Sequence, residues 1–354
     1  MTSLFDLSGK VAIITGSSRG IGRAIAEALA DHGAKVVISS RKQDSCEEVA
    51  SAINAEHGDG TAIAVAASIS DKVALQNLVD ETRRQLGRID ILVCNAASNP
   101  YYGPMAGISD DQFRKILDNN VIANHWLIAM AAPEMIERKE GSIIIVSSIG
   151  GLTSSTMIGA YNISKAADFQ LARNLAAEFG PSGVRVNCIA PGLVKTDFAK
   201  ALWENPETLK AVTRGTPLRR IGLPHEIAGA AVYLASPAST FMTGQVMVVD
   251  GGSTIGIGLG DWAAKSRSSP APDRASARRR SGCSELRARS SSGRTCAAPT
   301  SIATRATTRR SRRWSIVPSP ITAGSTSSLP MPVSAAGSAR FSNRVPKTGP
   351  KSCG

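Results

Sequence analysis

The sequence predicts an α/β fold for residues 1–255, a single doubly wound parallel sheet of about seven strands, followed by a disordered C-terminal tail. Three observations carry this expectation. Short runs rich in β-branched residues alternate with longer helical patterns. Those runs are apolar throughout rather than at every second position, the pattern of strands covered by helices on both faces. Past Ile255 the apolar periodicity stops, and Ser, Arg, Pro, Ala and Thr take over. With 42% hydrophobic residues in 354, the chain has ample material for a core of this size.

In chain order, the expected strands are VAIIT (11–15), KVVIS (35–39), TAIAVA (61–66), IDILVC (89–94), SIIIVS (142–147), RVNCI (185–189) and VMVV (246–249). Helical patterns are expected over 22–32, 71–86, 110–138, 159–179 and 224–234. Strands alternating with helices in this way read as βαβ units of a Rossmann-type sheet. The segment 256–354 cannot bury enough surface to offset its ordering entropy, so disorder is expected there.

The formal net charge of +13 invites a nucleic-acid reading. Its distribution removes that reading from the first 255 residues. Beyond Ile255 lie 18 Lys and Arg against only Asp261, Asp273 and Glu285, which leaves 23 basic and 25 acidic residues before it. Specific nucleic-acid binding is therefore not expected, and the tail supports at most weak, salt-sensitive attraction. The six cysteines are scattered, without a C-x-x-C pair or a His cluster at metal spacing, so no metal site is expected. Reduced thiols, an N-terminus without a signal-peptide pattern and the lack of a bilayer-length apolar run predict a cytoplasmic protein without a membrane partner.

The first expected strand runs into T-G-S-S-R-G-I-G, in which Gly16, Gly20 and Gly22, with Ser18, Arg19 and Ile21, open the next helix. Glycines at a strand-to-helix turn let a pyrophosphate approach the backbone at the positive end of a helix. At the end of the second strand, an acidic residue would accept hydrogen bonds from a ribose 2′-hydroxyl; this chain has Ser40 and Arg41. A hydroxyl and a cation suit a 2′-phosphate, and Arg19 can approach the same group. The cofactor expected is NADP(H), preferred over NAD(H).

Downstream, Ser148 lies thirteen positions before Tyr161, and Lys165 four positions after it. On a helix, positions 161 and 165 share a face. An adjacent ammonium stabilises a phenolate and makes a tyrosine a usable general acid/base.

These motifs resemble the short-chain dehydrogenase/reductase family over essentially all of residues 1–255. T-G-S-S-R-G-I-G matches its T-G-x-x-x-G-x-G, Y-N-I-S-K its Y-x-x-x-K, Cys94-Asn95-Ala96-Ala97 its N-N-A-G, and Pro191-Gly192 its P-G motif. Asn120, in D-N-N-V, falls where the family places a catalytic Asn. The resemblance implies that Tyr161 is the general acid/base. It also implies that Lys165 lowers the Tyr161 pKa and binds the nicotinamide ribose, that Ser148 polarises the substrate carbonyl, and that Asn120 holds a relay water. Asn95, Ala96, Pro191, Gly192, Val194 and Thr196 would border the cofactor, and a homotetramer is implied.

Three departures stand out. Cys94 and Ala97 alter N-N-A-G. Ser68-Ile69 stands where many members carry an Asp against the adenine, which puts that contact in doubt. Ser147 adjoins Ser148, but the thirteen-residue spacing selects Ser148.

Finer motifs, S-S-R-K-Q, N-A-A-S-N-P and A-P-G-L-V-K-T, resemble the NADP-dependent carbonyl and retinal reductase branch. The substrate implied is a small ketone, aldehyde or secondary alcohol, with a 3-oxoacyl-(acyl-carrier-protein) reductase as the alternative enzyme and a nucleotide-binding scaffold as the non-enzyme alternative. Phe198, Leu202 and Trp203 are consistent with an apolar cover over the site and equally with core or subunit contacts. Within the tail, a one-base shift under GC-rich codons turns residues 262–272 and 321–331 into motifs of a second family member. The tail is therefore expected to be an out-of-frame reading of a neighbouring gene.

Overall fold

The computed structural model describes residues 3–255; the expectations placed on 256–354 lie outside the described residues. In chain order the elements are β1 Val11–Thr15, α1 Gly20–Asp31, β2 Lys35–Ser39, α2 Gln43–His57, β3 Ala62–Ala64, α3 Lys72–Leu86, β4 Ile91–Cys94 and α4 Asp110–Leu117. They continue with α5 Ala123–Arg138, β5 Gly141–Val146, α6 Gly159–Phe179, β6 Val184–Pro191, α7 Lys200–Trp203, α8 Pro206–Thr213, α9 Pro224–Ala235 and β7 Val246–Val249. The seven strands form one sheet in the order β3-β2-β1-β4-β5-β6-β7, parallel throughout.

The uniformly apolar strands are explained by two cores, one on each face. Ile13, Val37, Leu92, Ile143 and Val186 point to the face carrying α3, α5 and α6. Their chain neighbours Ile14, Ile38, Val93 and Ile144, with Ile189 of β6, point to the face carrying α1, α2 and α9. Because successive residues of a strand face opposite sides, both must be apolar when both sides are covered. The order reverses at β1, which pairs with β2 on one side and β4 on the other. A crevice therefore opens at the carboxyl ends of these strands.

The structure departs from the expected elements in three places. Helix α2 is absent from the expected set; its buried stripe of Cys46, Val49, Ala50 and Ile53 has helical spacing, but Cys and Ala carry it weakly in sequence. The helix expected over 110–138 is two helices joined by a π-helical turn at Asp118–Ile122. The strand expected over 61–66 shortens to three residues.

Candidate active site

The glycine turn between β1 and α1 is built by contacts that leave no room for side chains. Gly16 and Gly20 have φ of +68° and +59°, a region that glycine enters without strain. A Cβ on Gly22 would stand 2.4 Å from the Gly16 carbonyl oxygen and 2.5 Å from Asn95 Nδ2. Ser17 anchors the turn, donating to Ile14 O at 2.7 Å and accepting from the Ser39 amide at 2.9 Å. No side chain caps α1 and its first turn holds no acid, so its N–H groups face the crevice with the positive end of the helix dipole. This cradle fits a pyrophosphate.

Asn95 closes the cradle from β4. Its side chain donates to Thr15 O at 2.8 Å and Gly16 O at 3.3 Å, while the Asn95 and Ala96 amides share Thr15 Oγ1. Thr196 reaches the same turn, with its methyl 3.3 Å from a Cβ built on Gly20. Val194 is buried and forms a parallel bridge with Gly222, and the Gly192 amide donates to Val249 O at 2.9 Å after β6 ends at Pro191. The turns after β1, β4 and β6 thus meet around Gly16 and Gly20.

At the end of β2, Ser40 sits half-buried with Arg41 exposed beside it. Arg19 pairs at 3.3 Å with Asp197, and both side chains are solvated. Its guanidinium thus reaches the loop after β6 instead of the Ser40-Arg41 corner. Ser68 Oγ lies 2.9 Å from Ser70 Oγ, and Ile69 packs on the core. The acid nearest in sequence, Asp71, caps α3, its Oδ1 accepting from the Val73 and Ala74 amides.

Deeper in the crevice, Ser148 follows β5 with its hydroxyl accepting from the Gly150 amide at 3.0 Å. Tyr161 and Lys165 share one face of α6, the Lys165 nitrogen lying 5.7 Å from the centre of the Tyr161 ring. Lys165 is buried and donates to Val146 O at 3.0 Å and Asp168 Oδ2 at 3.1 Å. Phe198 leans over Tyr161 with ring centres 6.1 Å apart and is itself exposed. Leu202 and Trp203 are half-buried, with Trp203 Nε1 donating to Thr196 O at 2.9 Å. Beside this loop, a cavity of about 210 Å³ is lined by Ile149, Leu193, Val212, Thr216, Arg220 and Ile221 among others.

Asn120 lies in the π-helical turn, fully buried, with its side chain committed. It accepts from the Ser98 amide at 2.8 Å and donates to Ser98 O and Ser164 Oγ, both at 3.0 Å. Its carbonyl accepts from Asn124 Nδ2 at 2.7 Å.

The charges around Tyr161 act in opposite directions. Burial pushes the Tyr161 phenol above its ordinary value; the Lys165 charge pulls it down, Asp168 adds to the rise and the Ser148 hydroxyl opposes it. The depression by Lys165 is present but outweighed. Burial alone would push Lys165 down, but the Asp168 carboxylate holds it above its ordinary value as a cation. Asp168 and Asn124 were missed in the sequence. The i, i+3 spacing of Lys165 and Asp168 was a signal, but such pairs are common on solvated helix faces.

A sequence profile of the family described as enoyl-(acyl carrier protein) reductase matches residues 16–254. The chain belongs to the short-chain dehydrogenase/reductase family. It is 42% identical over 247 residues to dehydrogenase/reductase SDR family member 4 of Oryctolagus cuniculus, covering 70% of this chain and 94% of the relative. Among solved structures it resembles gluconate 5-dehydrogenase from Burkholderia cenocepacia in complex with NADP and tartrate, with TM-score 0.68, 31% identity, and 72% of this chain and 98% of that one covered. It also resembles 7α-hydroxysteroid dehydrogenase complexed with NADH and 7-oxo glycochenodeoxycholic acid, with TM-score 0.67, 36% identity, and coverage of 71% and 98%. This short-chain dehydrogenase/reductase is an oxidoreductase.

Proposed function

We propose that the chain is an NADP(H)-dependent oxidoreductase acting between a ketone or aldehyde and the corresponding alcohol, with Tyr161 as general acid/base. The observation that carries this is the meeting of Ser148, Tyr161 and Lys165, where the Ser148 hydroxyl and the Lys165 ammonium both act on the buried phenol. When bound, the nicotinamide supplies or accepts the hydride. In reduction, Tyr161 gives its phenolic proton to the carbonyl oxygen, Ser148 orients and polarises that carbonyl, and Lys165 stabilises the phenolate left behind. Phe198 and the half-buried Leu202 and Trp203 give the substrate side an apolar wall. The two solved relatives described with NADP or NADH show that the fold serves either cofactor. For this chain, Arg41 after β2 favours the 2′-phosphate.

The reading extends to a homotetramer in the cytoplasm. Ile122 beside α5 and Ile163 on α6 expose apolar side chains on the helices that such an assembly would pair, and Cys46, Cys94 and Cys188 are buried free thiols suited to a reducing compartment. The experiment is a panel of ketones, aldehydes, alcohols and 3-oxoacyl thioesters assayed with NADPH and NADH on wild type and Tyr161→Phe. A fall of about 10²–10⁴ in turnover is expected for Tyr161→Phe. Equal turnover in both proteins refutes the role of Tyr161, preference for NADH refutes that of Arg41, and preference for thioesters moves the substrate class.

A further inference from the structure

Lys165 heads the largest fully buried side chains of the described residues, and a buried ammonium is costly unless paired. Its partner is Asp168, also fully buried, whose Oδ2 accepts from Nζ at 3.1 Å. The other carboxylate oxygen accepts from Asn124 Nδ2 at 3.2 Å, and the same amide donates to Asn120 O at 2.7 Å. Side chains alone thus link the Lys165 ammonium to the π-helical turn that carries Asn120. Two Nζ donors are used by Val146 O and Asp168, which leaves the third for the crevice side. Tyr161, Lys165 and Asp168 fall at i, i+4 and i+7, one stripe of α6.

A carboxylate 3.1 Å from an ammonium turns the charge that Tyr161 meets into a dipole, whose field falls off faster than that of a lone cation. We propose that Asp168 is a positioning residue for the Tyr161 chemistry: its carboxylate fixes Lys165 against Val146 and, by counterbalancing the ammonium, sets the pH at which Tyr161 exchanges its proton. The assignment rests on Tyr161 being the acid/base.

Apart from Arg173, the other groups around the pair are neutral. Cys188 of β6 donates through Sγ to Asp168 O at 3.5 Å, and Cys94 of β4 lies buried nearby; burial pushes both thiols far above their ordinary range. Asn124 comes from α5, and Ser147 and Ser148 follow β5. Arg173, further along α6, acts on Cys188. The charges that act on the phenol are therefore Lys165, which lowers its pKa, and Asp168, which raises it.

The test is the pH profile of kcat in both directions for the full chain, comparing wild type, Asp168→Asn, Asp168→Glu and Tyr161→Phe. Removing the carboxylate removes a contribution that raises the Tyr161 pKa, while the Val146 carbonyl and the Tyr161 phenolate itself continue to favour the charged Lys165. In Asp168→Asn, the rise of alcohol oxidation with pH should therefore move down by about one unit, and carbonyl reduction should fail correspondingly earlier on the alkaline side. Asp168→Glu should keep the wild-type limb. A limb that stays in place or moves up in Asp168→Asn overturns the assignment, even if kcat and melting temperature fall, because that is what a purely structural role gives. An inactive Tyr161→Phe with an unmoved Asp168→Asn limb sinks the Asp168 assignment alone; an active Tyr161→Phe sinks the acid/base reading beneath it. Should Asp168→Asn not fold, ultraviolet difference titration of wild type against Tyr161→Phe gives the ionisation of Tyr161. It is expected above the ordinary tyrosine range, and ionisation below that range overturns the counterbalance.

Discussion

Gly22 stands where a methyl group has nowhere to go, because its virtual Cβ meets a backbone carbonyl at 2.4 Å and the Asn95 amide at 2.5 Å. Gly22→Ala should cost about 1–3 kcal/mol of stability, as overpacking does, and weaken nicotinamide-cofactor binding by opening the cradle. Thermal melting and fluorescence titration with NADPH check both; unchanged values in the two assays would contradict the packing argument. Arg41 is expected to act without affecting the fold, since its side chain is exposed. A charge-assisted hydrogen bond contributes about 1.5–3 kcal/mol, so Arg41→Ala should lower kcat/KM roughly 10- to 100-fold for NADPH and leave NADH nearly unchanged. Equal losses with the two cofactors would place Arg41 elsewhere. Gly22 and Arg41 were legible because strand-turn-helix order gives their letters a meaning. Asp168 was not, because only the packing of α6 against β5 and β6 turns an apparent surface pair into a buried one.

At the level of elements, the π-helical turn between α4 and α5 shows what periodicity cannot foretell. Residues 110–138 read as one helix because each half is amphipathic, and nothing in the letters marks the extra residue that widens the turn. The widened turn is held by side chains: Asn120 clamps Ser98 and Ser164, and Asn124 serves the Asn120 carbonyl. A second element-sized feature closes the last crossover, where Asp250 follows β7 and accepts from the Gly252 amide at 2.8 Å and the Thr254 amide at 2.7 Å. Partial burial works to raise the Asp250 pKa, but these bonds outweigh it and hold the carboxyl below its ordinary value. A depressed carboxyl contributes stability above its unfolded value and loses it as pH falls toward the folded one. Asp250→Asn should therefore lower stability by about 1–2 kcal/mol near pH 7 and by progressively less below pH ~4. Denaturant melts at both pH values check this, and a pH-independent difference would assign the effect to geometry instead of charge.

For the whole molecule, charge and core are separated along the chain. Both faces of the sheet are packed by residues between Leu7 and Val249, and all seven strands lie within that span. The 18 Lys and Arg past Ile255 lie beyond it, opposite in net sign to residues 1–255, where 25 acidic residues outnumber 23 basic ones. Stability and chemistry should therefore survive removal of residues 256–354, while the affinity for polyanions should not. A chain ending at Ile255 is expected to keep its unfolding free energy within about 0.5 kcal/mol, as changes away from packed features do, and to keep its turnover. Retention on a phosphate-rich or heparin matrix, which for the full chain should weaken steeply as salt rises, should disappear in the truncated chain. A tenfold loss of turnover on truncation would instead make the basic segment part of the enzyme, and retention that survives truncation would locate the polyanion site on the α/β domain.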